Sequence, residues 1–476
     1  MTRNAAGATA GSAVPHLVVV PGAGARSGIN ATRRLADFVS HLDAVSTPHA
    51  VVHQAKRTLL DWAGVALAGS RTEAARIAYD VGLSLAGPGD SPVVGRAGEL
   101  TRPFAALANG VASHALDYDD TFDPDRTAVH GSAPVWPAVL ATGHARSLAG
   151  IETLLAFVAG FEVEIRVALA AGVLHDALGW HATGTVGHLG AAAATARALG
   201  LDTAGVVAAL GSAGTQASGL KAVYGTMGKA LHPGKAAMDG LLAAHLAEHG
   251  YTSSEDILEA HRGFLDVLAH GADPSRVITE LGSRWLLLED GFKAYACGTL
   301  THPVIDALLQ LRRRYEISSD DVERVDIKAH DYVISTTGNA RPKNGLEGRF
   351  SINHCVAVAL LDGAARLSQF TDERVAAADV ALVRDRVSVT VEPGWDKDSA
   401  LVKLRLRDGR VLLQVADYNR GTPDNPMSDD ELTEKFLDLA SGVLSPSRAR
   451  DVAALVWRFE QLADVREFTH ALRGDA

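Results

Sequence analysis

From Thr32 to about Leu288, apolar residues return every three or four positions almost without a break. The pattern runs through ATRRLADFVSHL, HQAKRTLLDWAGVALAG, RPFAALANGVASHALDY, PVWPAVLATGHARSLAG, IETLLAFVAGFEVEIRVALAAG and VGHLGAAAATARALG. That period belongs to helices that each bury one face. Glycine closes several segments, at Gly69, Gly150, Gly172, Gly200 and Gly250, as expected of helix C-termini. Small residues such as Gly187, Gly190 and Ala191 to Ala194 predict close approach of neighbouring helices. At 476 residues the chain exceeds what one core usually holds, so two structural units are expected, the first an all-helical bundle.

After Pro303 the pattern changes. One more helix, VIDALLQLRRRY, precedes VERVDIKAH, VSVTVEP and LVKLRLRDGRVLLQVAD, whose alternation around Asp408-Gly409 predicts a hairpin and a small α+β unit with an antiparallel sheet. NPMSDDELTEKFLDLA restarts a helix behind a Ser428–Glu431 capping box, and the last helices are expected to return to the bundle. The predicted class is mainly α. The expected division is a loose tail over 1–33, a helical unit over 34–290 and 428–476, and an inserted α+β unit over 291–427. In the tail, HLVVVPGAGARSG imitates a dinucleotide-binding loop, but its glycines (Gly22, Gly24, Gly28) have the wrong spacing and Pro21 interrupts.

A formal net charge of -11 argues against nucleic-acid binding, which needs a basic footprint; the longest basic run is Arg312, Arg313, Arg314. Two cysteines, Cys297 and Cys355, make neither a disulfide framework nor a C-x-x-C metal motif, so a reducing, cytoplasmic setting is expected. No membrane helix is predicted, because even the Leu154 to Ala171 stretch carries Glu162, Glu164 and Arg166. No secretory signal is expected either: the opening residues show no basic region followed by an apolar run.

Four polar clusters interrupt the apolar helices. HALDYDDTFDPDRTAVHGSAP holds Asp117, Asp119, Asp120, Asp123, Asp125, Arg126 and His130. His114 and Asp117 are spaced to share a face of one helical turn, with Thr121 a turn later if the helix persists. A carboxylate beside His130 would hold the imidazole in one tautomer and leave it free to move a proton. A calcium loop is excluded, since Phe122 and Ala128 stand where glycine and glutamate are needed. GWHATGTVG brings His181, Thr183 and Thr185 to the start of a helix, whose N–H groups suit a carboxylate; a capping role for Thr185 is the plain alternative. YGTMGKALHPGKAA carries Lys229, His232 and Lys235 but fails the phosphate-loop pattern, because alanine follows each Gly-Lys pair. FKAYACGTLTHPVIDA carries Lys293, Tyr295, Cys297 and His302; the cysteine is either packing or a substrate contact. Serine-hydrolase and zinc-protease motifs are absent from the sequence. Acids, histidines and lysines without a metal or cofactor motif suit removal of a proton next to a carboxylate: cations neutralise the enediolate while a base takes the proton.

These motifs, together with RFSINHCVAVALLDG and NPMSDDELTEKF, resemble the MmgE/PrpD family from about Leu35 to Phe459. That family includes 2-methylcitrate dehydratases, cis-aconitate decarboxylases and an iminodisuccinate epimerase. The resemblance implies a homodimer, a helical domain built from both chain ends, a smaller α+β lid domain, and an active site between them that needs no metal or cofactor. It puts family site residues on Asp117, Thr121, His130, His181, Lys229 and Lys293. At two positions the chain departs from the decarboxylase branch: Gly298 replaces the histidine five residues after Lys293, and His354 replaces a tyrosine. The expectation is a cofactor-free lyase or dehydratase for a small di- or tricarboxylate, with epimerisation, decarboxylation or carboxylate binding alone as alternatives. Asp117, His130, His181, Lys229 and Lys293 are the expected catalytic set. Thr121, Thr185, His232, Cys297, Arg349 and His354 are the expected substrate contacts.

Overall fold

The computed structural model describes residues 28–124, 127–392 and 394–474; most of the expected tail, with Gly22 and Gly24, lies outside them. The chain is mainly helical. At its centre, helices Arg102–His114, Ser132–Arg146, Gly150–Ala171, Ala182–Ala198 and Gly228–Glu248 pack on one another. Their spacing is set by the small residues. A Cβ added at Gly234 would lie 2.6 Å from the Leu107 carbonyl oxygen, and one at Gly110 would lie 2.6 Å from the Gly234 Cα. Helices Arg102–His114 and Gly228–Glu248 therefore touch backbone to backbone.

Some of the expected glycine caps do other work. Gly172, Gly200 and Gly250 have positive φ and end their helices. Gly150 instead begins one, and a side chain there would strike the Phe459 carbonyl; one at Gly69 would strike that of Ala112. Close approach, not turn geometry, requires those two glycines.

The helical run is less continuous than the spacing predicts. A short antiparallel hairpin, β1 (Pro88–Pro92) and β2 (Glu99–Leu100), interrupts it where Pro88, Gly89 and Pro92 disfavour helix. Beyond Glu248 the chain proceeds through turns and short helices such as Phe264–Leu268, because Gly263, Gly271 and Pro274 break the period.

In the α+β part, β3 (Val322–Ala329), β4 (Val387–Val391), β5 (Ala400–Leu406) and β6 (Val411–Ala416) form a sheet in the order β4-β3-β5-β6. The hairpin at Asp408-Gly409 forms as predicted, with Gly409 at φ 90°. Pairing is antiparallel for β3–β5 and β5–β6 but parallel for β3–β4, which makes the sheet mixed. The long helical connection between β3 and β4 permits that return in the same direction. β5 alternates cleanly, burying Ala400, Val402, Leu404 and Leu406 under helix His302–Tyr315, on which helix Ile352–Leu361 packs in turn.

Two large hydrophobic cores result. One gathers residues from Ala31 to Phe292 and from Met427 to Leu472, and the other gathers mainly residues from Ala296 to Ala416. Val65, Tyr118 and Leu439 of the helical part reach into the second core. The capping box at Ser428 forms, and it starts helix Asp429–Ala440 at the junction. Among the described residues no helix is long and apolar enough to cross a membrane.

Because Gly234 has no room for a methyl group, Gly234→Ala should cost about 1–3 kcal/mol by overpacking. Urea denaturation of the variant checks this. An unchanged midpoint would contradict the backbone contact.

Candidate active site

The first helix of the site ends at His114, earlier than the sequence spacing suggests, and the chain turns sharply. Asp117 sits in the left-handed region at φ 52°, a conformation that costs a side-chain-bearing residue about 1 kcal/mol or more. Neighbouring cations hold it there. Lys293 Nζ donates to the Asp117 carbonyl oxygen (2.7 Å) and to its Oδ1 (2.8 Å), while Lys229 Nζ lies 3.0 Å from the same Oδ1. Burial alone would raise the Asp117 carboxyl, but the two ammonium groups outweigh it and hold it well below the usual range. The Lys293 ammonium is lowered by burial and raised by Asp117 and Asp119, with a net rise.

His130 stands beside this group with its tautomer defined by its partners. Its Nδ1 lies 2.8 Å from the Asp120 carbonyl oxygen, which can only accept, so Nδ1 carries the proton. Asp119 Oδ2 at 3.2 Å and Thr121 Oγ1 at 3.3 Å surround the same nitrogen. In the neutral ring Nε2 is then the bare nitrogen, 3.8 Å from Asp117 Oδ1. Thr183 Oγ1 accepts the His130 backbone N–H (3.0 Å) and so fixes the residue from the next segment.

Behind His130 lies a buried polar layer. His114 Nδ1 bonds Asp119 Oδ2 at 2.8 Å, and the His114 ring packs edge-on against His130 with centroids 4.5 Å apart. Burial lowers His114 to about 4 despite the carboxylate, so the ring is neutral; its Nε2 has no partner among the described residues. Asp119, pushed up by burial but pulled down by the two histidines, stays well below the ordinary range. Asp120 Oδ2 accepts from the Ser132 N–H (3.2 Å) and hydroxyl (2.8 Å), and burial with neighbouring Asp119 lifts its carboxyl to about 7. Glu164 is fully buried without a partner for either oxygen among the described residues, and burial keeps it protonated.

The other wall is cationic and imidazole-rich. His181 Nδ1 lies 2.9 Å from His232 Nδ1, and burial followed by the nearby His114 and Lys229 holds His181 well below its usual value. The Tyr224 ring stands edge-on to His181 at 5.3 Å and lies under Lys229 Nζ, also at 5.3 Å. Arg349 Nη1 donates to the Leu116 carbonyl at 2.7 Å, while its buried Nε has no partner among the described residues.

One fully buried ammonium ties these pieces together. Lys435 Nζ donates to Asp61 Oδ1 (2.6 Å) and to the carbonyls of Tyr118 and Lys293 (2.9 Å each), and it lies 4.0 Å from the centre of the Tyr118 ring. It grips the backbone next to Asp117 and at Lys293 simultaneously.

The structure thus gathers Asp117, Thr121, His130, His181, Lys229, Lys293, His232 and Arg349. It does not bring three expected contacts into the cluster. Thr185 Oγ1 is engaged by His175 Nε2 (2.7 Å) and the Ala182 carbonyl (3.0 Å), because it lies on the opposite side of its helix from Thr183. His354 is buried in the second core with Nε2 donating to the Gln369 carbonyl (2.8 Å). Cys297 is buried against Thr301 Oγ1 (3.2 Å). Lys235 pairs with Asp239 instead, Asp123 pairs with Lys397 at 2.9 Å, and Asp125 and Arg126 lie outside the described residues. Asp119 and Lys435 support the site although local sequence pattern does not single them out. Both sit inside the quoted motifs, HALDYDDT and NPMSDDELTEKF, and that was the available signal.

Single donor atoms of His114, Asp117, Asp119 and His130 fall within 4.8 Å of one another, close enough for a small cation. Their bonding does not suit one. Asp117 Oδ1 already meets two ammonium groups, and a divalent ion there would face both.

Two family models match the chain: the MmgE/PrpD N-terminal domain over residues 33–277 and the MmgE/PrpD C-terminal domain over residues 295–461. A cis-aconitate decarboxylase of Aspergillus terreus is 29% identical over 473 residues, covering 93% of this chain and 95% of the relative. Proteins of the same name from Mus musculus (28% over 462 residues, 93% of each chain) and Homo sapiens (29% over 442 residues, 89% and 90%) are similarly related.

Removing one member of a buried ion pair strands the other, so Lys435→Met should destabilise the protein by about 3–5 kcal/mol. Adding Asp61→Asn should restore most of that, as a double-mutant cycle by chemical denaturation would read. The pH dependence follows from Asp120. The unfolded chain ionises this carboxyl near 3.8 and the folded protein near 7, so the folded state holds an extra proton between them and stability falls as pH rises through that window. Asp120→Asn cannot ionise and should lose less stability between about pH 5 and about pH 8 than the parent, measured by urea midpoints.

Proposed function

The chain belongs to the MmgE/PrpD family of enzymes, and we propose that it is a cofactor-independent lyase acting on a small di- or tricarboxylate of the aconitate type. The single observation that carries the reading is the Asp117 carboxylate clamped by Lys229 and Lys293 beside the Nε2 of His130, a ring whose Nδ1 is engaged by the Asp120 carbonyl. Two ammonium groups around one anion can accept a substrate carboxylate with little rearrangement. They are also positioned to neutralise the enediolate that forms when the adjacent carbon loses a proton or carbon dioxide.

In this reading His130 Nε2 exchanges the proton at carbon, with Asp119 and the Asp120 carbonyl holding Nδ1–H. His181 supplies the second proton-transfer group across the cluster, and Thr121 hydrogen-bonds the substrate. Arg349, half-buried with an Nε that has no partner among the described residues, adds a third cation for a further carboxylate. The segment 291–427 acts as a lid over the helical unit formed by 34–290 and 428–476, a division supported by the two cores. A homodimer is the expected assembly.

The relatives' activity favours decarboxylation of a cis-aconitate-like acid. Dehydration of a methylcitrate-like acid is the second reading: Gly298, 3.3 Å from the Phe350 ring at its Cβ position, stands where the decarboxylase branch has a histidine, which counts against decarboxylation.

Proton NMR of the purified protein with citrate, 2-methylcitrate, cis-aconitate and iminodisuccinate, with and without chelator, tests the assignment. Chelator-resistant loss of carbon dioxide or formation of an alkene is expected. His130→Ala, Lys229→Ala and Lys293→Ala should each lower kcat/KM by about a hundredfold or more, measured per folded molecule. A well-folded variant that keeps full activity would remove that residue from the mechanism.

A further inference from the structure

We propose that His232 is the outer member of a two-imidazole proton relay that connects His181 in the buried cluster with solvent. The inference rests on the lyase reading above for its purpose, and on the following geometry for its substance.

The two rings meet Nδ1 to Nδ1 at 2.9 Å. Two like nitrogens can bond only if one ring carries its proton at Nδ1 and the other leaves that atom bare. The pair therefore shares a single proton between unlike tautomers. The shared bond uses both Nδ1 atoms, so the two Nε2 atoms lie at opposite ends of the pair. The ends differ in surroundings: His181 is 2% exposed, whereas His232 is partly open to solvent. On the inner side the imidazoles continue as a row, with His114 stacked on His181 at 5.9 Å and His130 edge-on to His114 at 4.5 Å.

The backbone around His232 is shaped to admit the ring. A Cβ at Gly184 would lie 3.1 Å from the His232 Cβ, and one at Gly219, whose φ is 145°, would lie 3.4 Å from His232 Nδ1. The Gly219 carbonyl also accepts the His181 backbone N–H at 3.0 Å, so one glycine positions both members. Burial and neighbouring cations depress both rings, which leaves the resting pair neutral.

The transfer balances. A proton from water or buffer adds to His232 Nε2, the shared proton crosses from His232 Nδ1 to His181 Nδ1, and His181 gives its Nε2 proton to the substrate carbanion. One proton enters and one leaves, with the rings ending in exchanged tautomers. After product release, water entering the site protonates His181 Nε2 as the shared proton returns to His232 Nδ1 and the His232 Nε2 proton leaves to neutralise the hydroxide in solvent, which restores the starting pair. A lyase that releases carbon dioxide takes up one proton per turnover, and a buried histidine needs such a route to recover it.

His232→Gln tests the proposal, since the amide can bond to His181 but cannot carry a proton. In dilute buffer its kcat should fall about tenfold or more with KM held within about twofold, and added imidazole should restore the rate. An unchanged kcat overturns the relay, as does a loss that raises KM or ignores imidazole. His232→Asn repeats the measurement if the glutamine variant does not fold. The arm independent of substrate is nitrogen-15 NMR of the histidines in the resting protein. One Nδ1–H tautomer and one Nε2–H tautomer for the pair support the relay, and two Nε2–H tautomers overturn it. If the parent protein is inactive on every acid tested, the lyase reading fails while the NMR arm still decides whether the shared proton exists.

Discussion

The architecture of the site depends on one ammonium group that faces none of the polar space it organises. Lys435 reaches from helix Asp429–Ala440 to Asp61 on helix His49–Gly69 and to the carbonyls of Tyr118 and Lys293. Its three donors meet three acceptors, which is what a buried lysine needs. The Tyr118 carbonyl belongs to the turn that places Asp117 on one side and Asp119 on the other. The Lys293 carbonyl sets the root of the side chain that clamps Asp117. A residue far along the chain thus holds the register between the acidic turn and its counter-cation.

Around that anchor the charges are arranged in depth. Outermost is the Asp117–Lys229–Lys293 group, next the His130 and His114 rings on Asp119, and behind them Asp120 and Glu164 in apolar surroundings. Ionisation follows the same order. Asp117 and Asp119 have cationic or imidazole partners and remain charged, while Glu164 has none among the described residues and holds its proton. The left-handed backbone at Asp117 is tolerated because Lys293 binds both its carbonyl and its carboxylate.

Much of this was legible in the sequence wherever the determinant is local. The amphipathic helices, the Asp408-Gly409 hairpin and the Ser428–Glu431 capping box form where spacing predicts them. So do the polar clusters that meet at Asp117. What escaped depends on direction and on distant partners. Thr183 and Thr185 are two positions apart at one helix start, roughly 200° around the axis, so only one can face His130, and composition does not say which. His354 and Cys297 lie beside motif residues but point into the second core. The parallel β3–β4 pair follows from a long crossover whose endpoint no local pattern reveals. Gly69 and Gly150 read as caps, yet they are required by backbones from elsewhere in the chain.

In the proposed mechanism Lys229 and Lys293 form a preorganised receptor for substrate carboxylates. Titration calorimetry with propane-1,2,3-tricarboxylate, a saturated acid that offers three carboxylates and no double bond, tests that claim without requiring turnover. Replacing either lysine by methionine should weaken binding by at least about tenfold, because each ammonium would meet a carboxylate directly. Equal affinity in the parent and both variants would contradict the account.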